Sequence, residues 1–155
     1  RFNHLLSFDY GAATSFSVLS LVATTAPSLQ LRQNAVWRLS NQATSTTYSA
    51  VPVDQQTQWR QFFRDRLTEA TSESFFSAVW QGLSGLADDS SLALVGKKLG
   101  TISLASSTQE QVVCGAYRIA QARAGAWLEF QQAAQPWSKL APQAIALLMD
   151  PTKCP

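Results

Sequence analysis

Apolar positions recur along most of this chain at the three- and four-residue spacing that lines one face of an α-helix. Between Asp54 and Ala70 the side chains of Trp59, Phe62, Phe63, Arg66 and Leu67 form one broad stripe, which predicts a helix capped by Asp54. A second stripe follows Thr71 or Ser72 through Phe75, Phe76, Val79, Trp80 and Leu83, and Gly82 and Gly85 weaken its end. Asp88 or Asp89 then caps a short helix over 91–99 that stops near Gly100. The longest helix is expected to start at Ser106 or Ser107, with Glu110 completing a capping box. It carries Val113, Ala116, Tyr117, Ala120, Ala124, Trp127 and Phe130 towards Pro136, and its small residues around 120–126 would let another helix come close. Pro142 opens a last helix that runs to about Met149.

The first third of the chain is less one-sided. Phe16, Leu19 and Val22 or Ala23 fit a helical face, while Val18, Leu21 and Val22 also suit a strand, so residues 11–26 stay open between the two. Pro27 interrupts, Ser28 caps, and Leu29, Ala35, Val36 and Leu39 define a further buried face. The stretch from Leu31 to Asn41 resembles the inner helix of an armadillo-type repeat. No second copy recurs, and an array needs about three units to bury its faces, so the resemblance implies one helix and no repeat fold. Residues 41–53, rich in Ser and Thr and closing on Val51-Pro52-Val53, read as a long loop with a short extended piece near Tyr48. Loops of that length are often functional. The expected fold is mainly α: a compact bundle of about five to seven helices with one long Ser/Thr-rich loop. A single domain over 1–155 is expected, with a sub-boundary in the loop 41–53.

Composition then narrows the function. Charged residues make up 14% of the chain, against roughly 25% in an average soluble domain. Ser, Thr, Gln and Ala take their place, which leaves a surface that repels neighbours weakly and tolerates being covered by a protein partner. The net charge is +2 and the basic residues are scattered. Arg60, Arg64 and Arg66 alternate with Asp65 and Glu69, as on a solvated helix face rather than a phosphate-binding stripe, which argues against nucleic acid. No apolar run reaches the roughly 18 residues of a membrane span. The chain begins at Arg1 and its one Met is Met149. That predicts a processed chain and favours a non-cytosolic setting: an organelle lumen, the periplasm or the cell exterior. Cys114 and Cys154 fit two readings, a single disulfide of an oxidising compartment or two unrelated thiols.

Candidate chemistry is sparse. One histidine, His4, and two distant cysteines do not supply the spacing of a zinc site, so no metal and no cofactor are expected. A nucleophilic Cys114 would depend on His4 as its base, and the Val112-Val113 and Gly115-Ala116 neighbours describe a buried thiol instead. The acids sit at helix starts or beside arginines, where capping and ion pairing account for them, and Glu129 is expected to face solvent between Trp127 and Phe130. Val95 to Thr101 lacks the glycine spacing and the hydroxyl after lysine of a phosphate loop, and reads as a turn between helices. What remains is aromatic and apolar surface. Trp137, between Pro136 and Ser138, is the expected exposed anchor, and Tyr48, Val51 and Val53 are its companions as interface candidates. The sequence therefore predicts no enzyme. It predicts a non-catalytic helical interaction or scaffold subunit docked on a larger protein assembly. The alternative is a secreted or periplasmic binding module, of inhibitor or immunity type, with one disulfide. Aromatics between helices would also suit an apolar ligand or pigment, for which no residue pattern argues.

Overall fold

The computed structural model describes residues 12–44 and 51–155. Its α-helices there are α1 (Ala12–Thr25), α2 (Leu29–Thr44), α3 (Val53–Glu69), α4 (Glu73–Gly85), α5 (Leu92–Leu99), α6 (Ser106–Ala120), α7 (Ala126–Ala133) and α8 (Pro142–Met149). Single 3-10 turns lie at Asp89–Ser91, Trp137–Lys139 and Pro151–Lys153. No strand occurs among the described residues, and their eight α-helices exceed the expected number by one.

Local chemistry explains several of these helices. The stretch left open between helix and strand is α1, and its hydroxyls turn back onto its own carbonyls. Thr24 Oγ1 donates to the Ser20 carbonyl at 2.9 Å and Thr25 Oγ1 to that of Leu21 at 2.6 Å. Ser28 and Ser72 act as the expected caps: their hydroxyl oxygens accept the amides of Leu31 at 3.4 Å and Phe75 at 3.3 Å. Asp54 does not cap α3. Pro52 holds that position, and Asp54 lies in the first turn, where its charge still favours the helix dipole. The non-helical segment is shorter than 41–53, because α2 runs to Thr44 and α3 begins at Val53. The expected extended piece near Tyr48 falls outside the described residues. The capping box at the start of α6 is also absent. Ala105 is the N-cap there, and its amide donates to Glu73 from the first turn of α4.

The largest departure is the expected long helix, which ends at Ala120 and resumes at Ala126. Gly125 between them has φ +84°, in the left-handed region that glycine adopts without steric cost. The break lets α7 fold back onto α5, while Trp127 packs edge-on to Tyr117 of α6 at 5.3 Å and stacks on Phe130 within α7 at 5.4 Å. Of the small residues expected to seat a neighbouring helix, Ala120 and Ala126 are buried at the two helix ends, and Ala122, Ala124 and Gly125 lie in an exposed turn from Gln121 to Gly125. Close helix approach occurs at Gly96 and Gly115. The short helix expected over 91–99 is α5, so the stretch from Val95 to Thr101 is a turn only from Gly100 on.

One continuous core runs from Phe16 in α1 to Leu148 in α8. Its N-terminal part is aromatic: Phe16 stacks on Trp59 at 5.1 Å and meets Phe62 edge-on at 5.6 Å, and Phe62 meets Phe63 edge-on at 5.5 Å. Because α2 packs on both α1 and α4, the packing crosses the 41–53 segment. Gly96 sets the spacing of α5 and α7, since a Cβ there would lie 2.7 Å from the Phe130 carbonyl oxygen and 3.0 Å from Ala133 Cβ. In Gly96→Ala, helix propensity returns about 1 kcal/mol, but overpacking costs about 1–3 kcal/mol. Backbone cannot swing aside as a side chain does, so the net expectation is a loss of about 1–2 kcal/mol. It would be read as a lower urea midpoint at unchanged slope. A midpoint at or above that of the parent would mean the two helices do not meet at Gly96.

Candidate functional site

The cations come first, because a binding site for an anion would need them free. Arg60 donates through Nε and Nη2 to the Leu86 carbonyl at 3.2 and 2.8 Å, closing the C-terminal end of α4. Lys98 donates to the Thr68 and Ala70 carbonyls at 3.1 and 2.9 Å and does the same for α3. Both place positive charge where a helix dipole is negative. Arg64 Nε stands 3.7 Å from the carboxylate of Asp88, which is buried. Arg66 lies over the Phe62 ring at 5.5 Å and pairs with Glu69 at 3.4 Å. Arg60 and Arg64 are therefore inter-element clamps, where the sequence suggested a solvated face, while the contacts of Arg66 stay within α3. Asp88, at 2% exposure, is the buried partner of Arg64.

The turn between α6 and α7 carries one more clamp. Arg123 donates from Nε to Asp89 at 3.0 Å and from Nη2 to Glu129 at 2.6 Å. Hydrogen bonding from Arg123 holds the Glu129 carboxyl below its ordinary range, while the same two carboxylates, Glu129 first, raise the guanidinium further. A depressed carboxylate contributes stability that is complete above its unfolded pKa, about 4.3. That contribution is lost as the pH falls through the lowered folded value. In a carboxyl NMR titration Glu129 should titrate below an ordinary glutamate, and Arg123→Gln should return it to the ordinary range. An identical midpoint in both proteins would remove the clamp.

The residues singled out from sequence scatter. Val51, expected at an interface, is instead part of the core at 3% exposure, and its carbonyl accepts Gln56 Nε2 at 3.1 Å. Val53 is 84% exposed at the first position of α3. Tyr48 lies outside the described residues. Trp137 is half-buried, and its indole N–H donates to the Gln131 carbonyl at 3.2 Å. Cys114 and Cys154 are joined in a disulfide with Cα atoms 5.6 Å apart, which settles the two readings of that pair.

Gln131 organises a surface that the sequence did not reveal. Its Nε2 donates to the Leu148 carbonyl at 2.7 Å, bridging α7 to α8, while its own carbonyl receives Trp137. Leu128, one turn earlier and so on the same side of α7, is 55% exposed. Met149, the residue after Leu148, is 71% exposed. Each of the two helices that Gln131 joins thus carries one large exposed apolar side chain. The other exposed large apolar residues among those described, Leu21 at 60%, Leu29 at 57% and Val53, lie on α1, α2 and α3.

For chemistry the described residues offer little. They contain no group of three His, Cys, Asp or Glu placed to hold a metal ion. Among them no helix is long and apolar enough to cross a membrane. A cavity of about 240 Å³ is lined by residues 99–104, Gln109 and Lys139. Both ends of the Gln109 amide are already engaged: Nε2 donates to the Leu104 carbonyl at 3.0 Å, and Oε1 accepts the Ala141 amide at 2.7 Å. No family model, curated protein or solved structure matches this chain.

Proposed function

We propose that this chain is a non-catalytic helical interaction domain that docks on a larger protein assembly through the α7–α8 face. The observation that carries the reading is the pair Leu128 and Met149, both open to solvent on the two helices that Gln131 joins. Large apolar side chains on a fixed scaffold are the composition of an interface centre, and Glu129 next to Leu128 is already paired with Arg123. The fixed scaffold matters because little ordering entropy is then lost on binding. A second reading rests on a different observation. The Cys114–Cys154 bridge suits an oxidising compartment, and so a secreted or periplasmic binding module that uses the same face.

The test is native mass spectrometry of the chain taken from its natural source, compared with Leu128→Asp/Met149→Asp. Both positions are exposed, so the double variant should keep its fold and shift stability by only about 0.5 kcal/mol. The parent is expected in a larger assembly and the variant alone. A parent that is always monomeric, or a variant that still assembles, would remove this reading of the face.

A further inference from the structure

The exposed turn that interrupts the expected long helix has a consequence that does not depend on any partner. We propose that the Arg123–Ala124 peptide bond is a cleavage site for a trypsin-class protease acting on the folded chain, and that the cut halves remain one molecule through Cys114–Cys154. All five residues from Gln121 to Gly125 are exposed. Their backbone is held by long i to i+3 bonds: Gln121 to Arg118 at 3.4 Å, Ala122 to Ile119 at 3.2 Å and Arg123 to Ala120 at 3.4 Å. Bonds of this length and type are weaker than those inside a helix, so the segment opens locally at low cost. A Cβ at Gly125 would meet nothing within 4 Å, so the turn stands clear of the rest of the fold.

The other described basic residues are worse placed. Those from Arg32 to Arg118 lie within helices, the residue after Lys139 is the buried Leu140, and Lys153 lies in a 3-10 turn directly before the bridged Cys154. From Leu39 to Trp59 there is no Lys or Arg at all, so the segment between α2 and α3 offers such a protease nothing to cut. The disulfide spans the turn, with Cys114 before it and Cys154 after it. Packing of α7 on α5 and of α8 on α6 adds to that tether. In the reaction water adds across the bond: the C–N bond breaks, Arg123 keeps a carboxylate and Ala124 gains an ammonium group. To reach the protease pocket, the Arg123 side chain must first leave Asp89 and Glu129. The clamp is therefore a brake on cleavage.

Limited trypsin digestion of the oxidised full chain, followed by intact mass, tests this. The first product should be a single species heavier by one water, which separates into 1–123 and 124–155 only after reduction. Arg123→Gln should slow that first cut by about tenfold or more, and Arg123→Lys should keep it at the same bond. Asp89→Asn/Glu129→Gln should speed it about threefold, since cleavage follows the population of the open turn. A first cut at any other bond would overturn the proposal. So would parental cutting rates in Arg123→Gln, or halves that part without reductant. If Arg123→Gln misfolds and is cut everywhere, the Arg123→Lys product still decides between the Arg123–Ala124 bond and another.

Discussion

Phe63→Ala should lower the unfolding free energy by about 4 kcal/mol, the middle of the range for removing a fully buried phenylalanine. The Phe63 side chain shows no exposure, and its ring occupies the space above Gly82, where a Cβ would lie 2.4 Å from Cζ. It meets Phe62 edge-on at 5.5 Å and Trp59 at 6.5 Å, so the ring touches both its own helix and α4. Collapse around the hole would require α3 and α4 to approach, and both are already held. Arg60 bonds to the end of α4, and Lys98 ties the end of α3 to α5. Poor relaxation leaves most of the cavity open, which pushes the cost towards the larger values. For a domain of this size each kcal/mol lowers Tm by about 2–4 °C, so a fall of about 8–16 °C is expected in a thermal melt. Phe63→Leu, which refills most of the volume, should cost less than half as much. A loss below about 1 kcal/mol for alanine would mean that Phe63 is not the keystone of this cluster.

How far the fold could be read from sequence depended on whether the deciding interaction was local. The α4 helix was legible because its Ser72 cap and its Phe75, Phe76, Val79, Trp80 and Leu83 stripe act within a few residues of each other. The break after α6 was not. Gln121, Ala122 and Ala124 are helix formers, and Gly125 alone hinted at a stop that tertiary packing of α7 on α5 then imposed. The same distinction runs through the candidate surface. Trp137 looked like a free anchor because the Gln131 carbonyl, six residues earlier, is left open for its indole N–H only where α7 ends. Leu128 and Met149 were hidden for the opposite reason. Each continues an apolar stretch, so its exposure and the Gln131 bond that joins α7 to α8 appear only in the fold. The cation clamps were out of reach too, since Arg60 and Lys98 find helix ends 26 and 28–30 residues away.

Breaking Cys114–Cys154 is the other change with a large expected effect. The bridge closes a 40-residue separation, for which the chain-entropy model gives about 4 kcal/mol. Removing it restores freedom to the unfolded chain while the native core keeps its buried contacts. The oxidised protein should therefore melt about 8–16 °C above the reduced one, with equal helicity at 25 °C. The loss should not be uniform. Cys154 follows the Pro151–Lys153 turn, which packs on α8 and α6, so amide protection should fall first there and along α8, before α3 and α4 are affected. Cys114→Ala/Cys154→Ala separates the two contributions. It should match the reduced protein if loop entropy dominates, and fall below it if the buried Cys114 sulfur also packs against the core. An unchanged midpoint on reduction would mean that packing of α8 on α6 alone holds this end of the molecule. The disulfide would then serve only as the tether across the exposed turn at Arg123.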